Sequence, residues 1–106
     1  MAKIVNITAE QVRERLERGD DILIVDVRED GEVGTGMIPG ALHIPVGDME
    51  DRYDEIDPER EAIIVCRSGR RSKSVCNYLQ AKGYENVLNM VDGMLKWSGE
   101  KEEFYP

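Results

Sequence analysis

Two short runs of uninterrupted apolar residues constrain the fold of this 106-residue chain more than any other feature. Residues 22–25 read Ile-Leu-Ile-Val and residues 62–65 read Ala-Ile-Ile-Val, without the polar alternation of a half-exposed strand. A strand with an uninterrupted apolar run is covered on both faces, which is typical of parallel sheets. Because helical and loop patterns surround both runs, they predict an α/β fold in which helices cover both faces of a parallel sheet.

Flanking patterns add one more strand and two helices. Residues 4–7 predict a first strand. Thr8 and Gln11 then have the spacing of a capping box, which begins an amphipathic helix ended by Gly19. Residues 70–82 have apolar side chains along one face and predict a second helix.

The other segments have weaker patterns. Residues 87–88 predict a further short strand, and residues 48–53 a short helix. Residues 31–45 contain too many Gly and Pro residues for regular structure, so we expect an ordered loop there. For residues 97–106 we expect a final helix followed by an irregular end.

Length and charge exclude several classes of protein. The length suits a single domain over residues 1–106. Fourteen basic and 22 acidic residues give a net charge of −8, which disfavours nucleic-acid binding. The longest apolar run is too short to span a membrane, and with no secretory signal visible we expect a cytoplasmic protein. Two cysteines and one histidine predict neither a disulfide framework nor a metal site, and we expect no cofactor.

One segment combines a thiol with a cluster of cations, between the second apolar run and the helix after it. It consists of Cys66, Arg67, Ser68, Gly69, Arg70, Arg71 and Ser72. The carboxyl end of a parallel strand is where α/β proteins bind ligands, and the amides that begin the next helix favour an anion. Amides and guanidinium groups also lower the pKa of a nearby thiol. The segment therefore predicts a reactive thiolate at Cys66 and a bound small anion.

Four segments resemble, in the same order, the motifs of rhodanese-domain sulfurtransferases. They are Asp-Val-Arg at residues 26–28, Gly-Met-Ile-Pro-Gly-Ala at residues 36–41, the cysteine loop at residues 66–72 and Asp-Gly-Met at residues 92–94. Ile44-Pro45 and Trp97 extend the likeness. The resemblance implies a rhodanese-like fold with a five-stranded parallel sheet and helices on both faces. It also implies transfer of sulfane sulfur from thiosulfate or a persulfide donor to cyanide or a thiol.

The resemblance also implies roles for particular residues. Cys66 takes the position of the nucleophile that carries a persulfide, and Arg71 that of a basic residue that meets the anionic substrate. The implied substrate-binding residues are Arg67, Ser68, Gly69, Arg70, Arg71 and Ser72. The six-residue loop from Cys66 to Arg71 is similar to that of sulfurtransferases, whereas related dual-specificity phosphatases have one residue more. Met37, His43 and Asp92 depart from the family pattern, and all three lie outside the loop.

Other interpretations stay open for the same residues. For Cys66, an inert buried thiol is the less favoured interpretation. Cys76 fits the apolar core, and a resolving role in disulfide exchange is its less favoured alternative. We expect a structural ion pair between Asp26 and Arg28, and structural roles for His43 and Trp97.

The functional alternatives come from other classes of protein. One is a non-catalytic sulfur carrier or interaction module that delivers sulfur to a protein acceptor. The other, which the loop length argues against, is a phosphatase or an arsenate reductase that uses the same cysteine.

Overall fold

A single parallel sheet organises the computed structural model, which describes residues 3–103. Its strands are β1 (Val5–Ile7), β2 (Ile22–Asp26), β3 (Leu42–His43), β4 (Glu61–Val65) and β5 (Val87–Met90). They lie in the order β1-β5-β4-β2-β3, and every neighbouring pair is parallel. The predicted α/β fold with a five-stranded parallel sheet is confirmed. β4 is the central strand, so its carboxyl end opens at the middle of the sheet.

Four α-helices accompany the sheet in the described part of the chain. They are α1 (Ala9–Glu17), α2 (Asp30–Val33), α3 (Met49–Arg52) and α4 (Arg70–Ala81). The capping box predicted for α1 is present: the Gln11 amide donates to Thr8 Oγ1 at 3.1 Å, and the Thr8 amide donates to Gln11 Oε1 at 2.9 Å. Short 3-10 helices lie at Val46–Asp48, Tyr53–Glu55 and Met94–Lys96.

The two faces of the sheet each have their own hydrophobic core. In β4, Ile63 and Val65 pack with residues of α1, while Ala62 and Ile64 pack with residues of α3 and α4. Successive side chains of a strand point to opposite faces, so a strand between two cores is apolar at every position. This explains the uninterrupted run that predicted β4. Helices cover both faces, as expected.

The structure corrects two of the sequence-based predictions. Residues 31–45 are not a loop throughout, because α2 ends within them and β3 lies within them. The predicted final helix is wrong where it can be compared: residues 97–103 contain none, and Glu102 instead forms an antiparallel bridge with Met37. Backbone hydrogen bonds of 2.8 and 2.9 Å join these two residues, so the Glu102 amide donates to a distant segment rather than within a helix. Residues 104–106 of that prediction lie outside the described residues.

None of the helices within residues 3–103 combines the length and the apolar character needed to cross a membrane.

Candidate active site

The Cys66 loop lies at the carboxyl end of the central strand, and the segment after β5 holds it in place. The Met94 amide donates to the Cys66 carbonyl at 2.9 Å, and the Leu95 amide donates to the Arg67 carbonyl at 3.0 Å. Both bonds fix backbone groups of a loop that has no sheet partner of its own. The loop therefore has a defined conformation before any ligand binds.

Two glycines allow the loop and the segment after β5 to approach each other closely. Gly69 has φ +88°, and a Cβ built on it would lie 2.1 Å from the Val91 carbonyl oxygen. Gly93 has φ +66°, and its Cβ would lie 2.1 Å from the Arg67 carbonyl oxygen. Both positions exclude a side chain because the obstructing atoms belong to the backbone. Gly69, which the resemblance places among the substrate-binding residues, thus lets the loop pack directly against the backbone after β5.

The Cys66 sulfur takes the place of a helix N-cap side chain. Gly69 is the N-cap residue of α4 and has no side chain to accept from the first turn. Cys66 Sγ lies 3.1 Å from the Gly69 amide nitrogen and 3.4 Å from the Ser72 amide nitrogen, and both N–H groups donate to it. It also lies 3.3 Å from Ser72 Oγ. An anionic sulfur would thus satisfy otherwise free amides at the positive end of the helix dipole.

These contacts decide the direction in which the pKa of Cys66 moves. The side chain is buried, and burial is the largest single effect, which raises the pKa of the thiol. Hydrogen bonds from the Ser72 hydroxyl and from the amides of Ser72, Ser68 and Gly69 act in the opposite direction and together outweigh it. The net result is a pKa of Cys66 below the ordinary thiol value.

Cys76 has the opposite properties, although it lies in the same hydrophobic core. Burial, with a smaller contribution from Cys66, raises the pKa of Cys76 to about 12. The side chain is fully buried on the inner face of α4, which agrees with the expected core position.

The loop cations do not all face the solvent. Arg67 and Arg70 are exposed, and within residues 3–103 neither forms an ion pair. Arg71 instead makes a bidentate contact with Glu32 of α2, through nitrogen–oxygen distances of 2.7 and 2.8 Å. The guanidinium of Arg71 lowers the pKa of Glu32 to about 2, so the pair is ionised at neutral pH.

An open groove of about 330 Å³ lies beside the loop, and its lining includes Arg67, Glu32, Leu95 and Lys101. Among the described residues, the lining contains one acidic residue, Glu32, and three basic residues, Arg28, Arg67 and Lys101. Within residues 3–103, no group of three or more His, Cys, Asp or Glu side chains is arranged to hold a metal ion.

The predicted ion pair between Asp26 and Arg28 is present and buried. Arg28 donates to both carboxylate oxygens of Asp26, with the Nη2 to Oδ2 distance at 2.8 Å, and also to the Gly36 carbonyl at 2.9 Å. His43 is buried with Nε2 2.7 Å from the Arg28 carbonyl oxygen, and Trp97 is buried in the core beside α1. All four side chains pack within the fold, outside the thiol's hydrogen-bond shell.

Sequence reasoning missed two residues that contact this loop. Glu32 lies in the segment that the sequence predicts as an ordered loop, and nothing in its spacing pointed to Arg71. Asn89 of β5 is buried and accepts a hydrogen bond from Ser72 Oγ. A signal for Asn89 did exist, because an amide side chain interrupts the apolar sequence Val-Leu-Asn-Met of a buried strand.

Comparisons with known proteins agree with this architecture. A family model described as a rhodanese-like domain matches residues 8–100. A putative sulfurtransferase of Bacillus subtilis is 41% identical over 98 residues, which cover 92% of this chain and 94% of the relative. A sulfurtransferase of Allochromatium vinosum is 41% identical over 92 residues, covering 87% of this chain and 86% of the relative.

A solved structure gives the same result at the level of the fold. The crystal structure of a rhodanese-like domain protein from Staphylococcus aureus has a TM-score of 0.88 and 33% identity, covering 95% of this chain and 99% of that chain. The names of the two relatives support an activity of the sulfurtransferase type. The chain belongs to the family of rhodanese-like domains.

Proposed function

We propose that this protein transfers sulfane sulfur from thiosulfate or a persulfide donor to cyanide or a thiol, through a persulfide on Cys66. One observation carries the proposal: a buried thiol at the carboxyl end of the central strand receives hydrogen bonds from the Gly69 and Ser72 amides. Such donors stabilise the thiolate, which is the nucleophilic form. Family membership supports the same activity.

In the first half-reaction, the Cys66 thiolate attacks the outer sulfur of thiosulfate. A bond forms between the two sulfurs, and the S–S bond of thiosulfate breaks with its electron pair leaving on sulfite. The product is a persulfide whose negative charge lies on the outer sulfur. No proton has to be moved, because the nucleophile is already ionised and sulfite leaves as a stable anion.

In the second half-reaction, cyanide or an acceptor thiolate attacks the outer sulfur of the persulfide. The S–S bond breaks, Cys66 leaves as the thiolate, and thiocyanate or a new persulfide departs. Sulfite must leave before the acceptor reacts, so ping-pong kinetics are expected.

The proposal assigns substrate binding to the loop. The amides of Arg67, Ser68 and Gly69 and the first turn of α4 form the anion site, and Ser72 contacts the sulfur directly. Arg67 and Arg70 attract the donor anion to the groove. Arg71 is a permanent cation at the edge of this site, held there by Glu32.

A reactive thiolate at Cys66 is preserved in a compartment that keeps thiols reduced. We therefore propose the cytoplasm as the site of the reaction, with a protein thiol as one of the acceptors.

The test is intact-mass analysis after the protein has been mixed with thiosulfate. We expect a gain of one sulfur atom in the wild type and in Cys76→Ser, and none in Cys66→Ser. Cyanide should then remove the added sulfur and release thiocyanate. Equal labelling of both cysteine variants would overturn the assignment of the site.

The same experiment distinguishes a catalytic sulfurtransferase from a non-catalytic sulfur carrier. A persulfide that forms but yields no catalytic thiocyanate in steady state would indicate a protein that only carries sulfur to a partner. Hydrolysis of a phosphate ester without any persulfide would refute the proposal in favour of a phosphatase.

A further inference from the structure

Asn89 places a buried carboxamide beside Gly69 and Ser72, two residues of the Cys66 site. Its side chain projects from β5 and is 1% exposed. The Nδ2 group donates to the Gly69 carbonyl at 3.2 Å and to Asn6 Oδ1 at 3.4 Å, while Oδ1 accepts from the Ser72 hydroxyl. Asn89 therefore contacts Gly69 and Ser72, two residues whose amides donate to the Cys66 sulfur, although it does not contact the sulfur itself.

The partners of Asn89 fix which way its amide points. The Gly69 carbonyl can only accept, so the amide nitrogen has to face it. The oxygen of the same amide then faces Ser72, and the Ser72 hydroxyl must be the donor of that bond. A hydroxyl has a single proton. While that proton lies toward Asn89, Ser72 Oγ can act toward Cys66 only as an acceptor, from the S–H group of a neutral thiol.

Ionisation of Cys66 reverses this arrangement. A thiolate has no proton to give, and its best partner is a donor, so the Ser72 hydroxyl turns from Asn89 Oδ1 to the sulfur. The Asn89 oxygen is then left without its partner inside the protein core, which is unfavourable. Formation of the thiolate is thus opposed by the loss of one buried hydrogen bond.

The persulfide restores the first arrangement. Its charge lies on the outer sulfur, and Cys66 Sγ becomes a divalent sulfur that accepts hydrogen bonds only weakly. The Ser72 hydroxyl is then free to donate to Asn89 again. No proton leaves Ser72 at any stage, and only the direction of its O–H bond changes.

We propose that Asn89 is a positioning residue that competes with Cys66 for the Ser72 hydroxyl, and so favours the persulfide over the free thiolate. The part of this inference that concerns the persulfide rests on the proposed function, whereas the competition for the hydroxyl concerns the resting protein alone.

Other groups that influence Cys66 are constant during this exchange. Arg71 of α4 and Cys76 interact electrostatically with Cys66. Arg71 stays charged in its ion pair with Glu32. Asp26, the last residue of β2, and Arg28, just after it, neutralise each other. Ser72 and Asn89 are therefore the pair to vary.

The test is a double-mutant cycle on the pKa of Cys66, measured from the pH dependence of its alkylation by iodoacetamide. The variants are Ser72→Ala, Asn89→Ala and the double variant, with the exposed Asn77→Ala on α4 as a control for loss of a carboxamide. Asn89→Ala also removes the bonds to the Gly69 carbonyl and to Asn6, and its effect in the Ser72→Ala background measures these contributions without the Ser72 hydroxyl. The diagnostic quantity is the difference between the two Asn89→Ala shifts.

We expect Asn89→Ala to lower the pKa of Cys66, relative to its effect in the Ser72→Ala background, by about half a unit to one unit, the size of one buried hydrogen bond. A difference of zero, or one in the opposite direction, overturns the competition. Asn89→Leu gives the same comparison with nearly the same side-chain volume. Asn77→Ala should leave the pKa of Cys66 unchanged.

A second test uses only the wild-type protein, so it does not depend on whether the variants fold. The carbon-13 signal of the Asn89 carboxamide should move with the ionisation of Cys66, as the hydroxyl leaves it, while that of Asn77 stays constant. An Asn89 signal that ignores this titration overturns the proposal.

The effect of Asn89 on the persulfide is measured separately, at a pH where Cys66 is ionised in every variant. At fixed thiosulfate and sulfite concentrations, Asn89→Ala should lower the ratio of persulfide to free thiolate about three- to tenfold more in the wild-type background than in the Ser72→Ala background. An unchanged ratio overturns the inference that Asn89 favours the persulfide over the free thiolate. If the wild type forms no persulfide at all, the proposed function fails, while the titration still decides the competition.

Discussion

Gly69→Ala tests whether close backbone approach holds the thiol site together. Gly69 and Gly83 have nearly equal positive φ values, +88° and +93°, but a Cβ on Gly83 meets nothing within 4 Å. Gly83→Ala is therefore a matched control that measures the backbone strain alone. We expect it to cost about 0.5–1 kcal/mol, from the strain of positive φ less the lower entropy of the unfolded chain.

Gly69→Ala adds a steric conflict to the same strain. Its Cβ would lie 2.1 Å from the Val91 carbonyl oxygen, so loop and strand end must separate by about 1 Å to reach an ordinary contact. Displacement of packed backbone costs about 1–3 kcal/mol more, which brings the total to about 1.5–4 kcal/mol. The movement also breaks the 3.1 Å contact between the Gly69 amide and Cys66 Sγ. The pKa of Cys66 should rise by about one unit.

Urea unfolding measures the two free energies, and the pH dependence of iodoacetamide alkylation measures the pKa of Cys66. Gly83→Ala should leave that pKa unchanged because it lies at the far end of α4. Equal stabilities for the two variants, with an unshifted pKa in Gly69→Ala, would refute the view that close backbone contact fixes the sulfur's donors.

Three further predictions concern charge and reactivity. Arg71→Ala should raise the thiosulfate KM about threefold or more in steady-state assays, whereas Glu32→Gln should lower it, because each changes the net charge at the edge of the anion site. Since Arg71 holds the pKa of Glu32 at about 2 rather than 4.5, their pair stabilises the fold fully above pH 4.5 and progressively less as the pH falls toward 2. Unfolding of Glu32→Gln should depend less on pH in that window. Iodoacetamide at neutral pH should modify Cys66 in the native protein and Cys76 only after unfolding, as read by peptide mass.

Each of these has an outcome that contradicts it. Unchanged kinetics in Arg71→Ala would mean that this cation plays no part in donor binding. A pH profile of unfolding that is identical in Glu32→Gln would show that the pair adds nothing to stability. Native-state modification of Cys76 at the rate of Cys66 would show that the raised pKa of Cys76 does not suppress its reaction.

The parts of the fold that were predictable are those that a single local rule determines. The apolar runs of β2 and β4 follow from burial on both faces, and the start of α1 follows from the Thr8 capping box. β3 was not predictable, because two residues are too short to show any periodicity. Its pairing depends on Val25 and Asp26 of the neighbouring strand.

The missed parts of the site have the same origin. The loop residues are consecutive, so one stretch of sequence displays them together. Glu32 lies 39 residues before Arg71, and Asn89 lies 17 residues after Ser72. These contacts arise only when the sheet brings β5 and α2 to the two sides of the loop. The tail was mispredicted for a related reason: Glu102 forms its backbone bonds with Met37, distant in sequence.

The two cysteines separate the effect of burial from that of hydrogen bonding. Both thiols are buried in the same core, with exposures of 1% and 0%, so solvent access cannot explain why the pKa of one falls while that of the other rises. Cys66 differs because it follows a strand and precedes a helix whose first amides have no other acceptor. Cys76 lies inside α4, where every nearby amide is already bonded within the helix. Moving the thiol from the helix start to its interior would therefore remove the hydrogen-bond donors without changing its burial, and this makes the strand-to-helix junction, rather than exposure, the origin of the lowered pKa of Cys66.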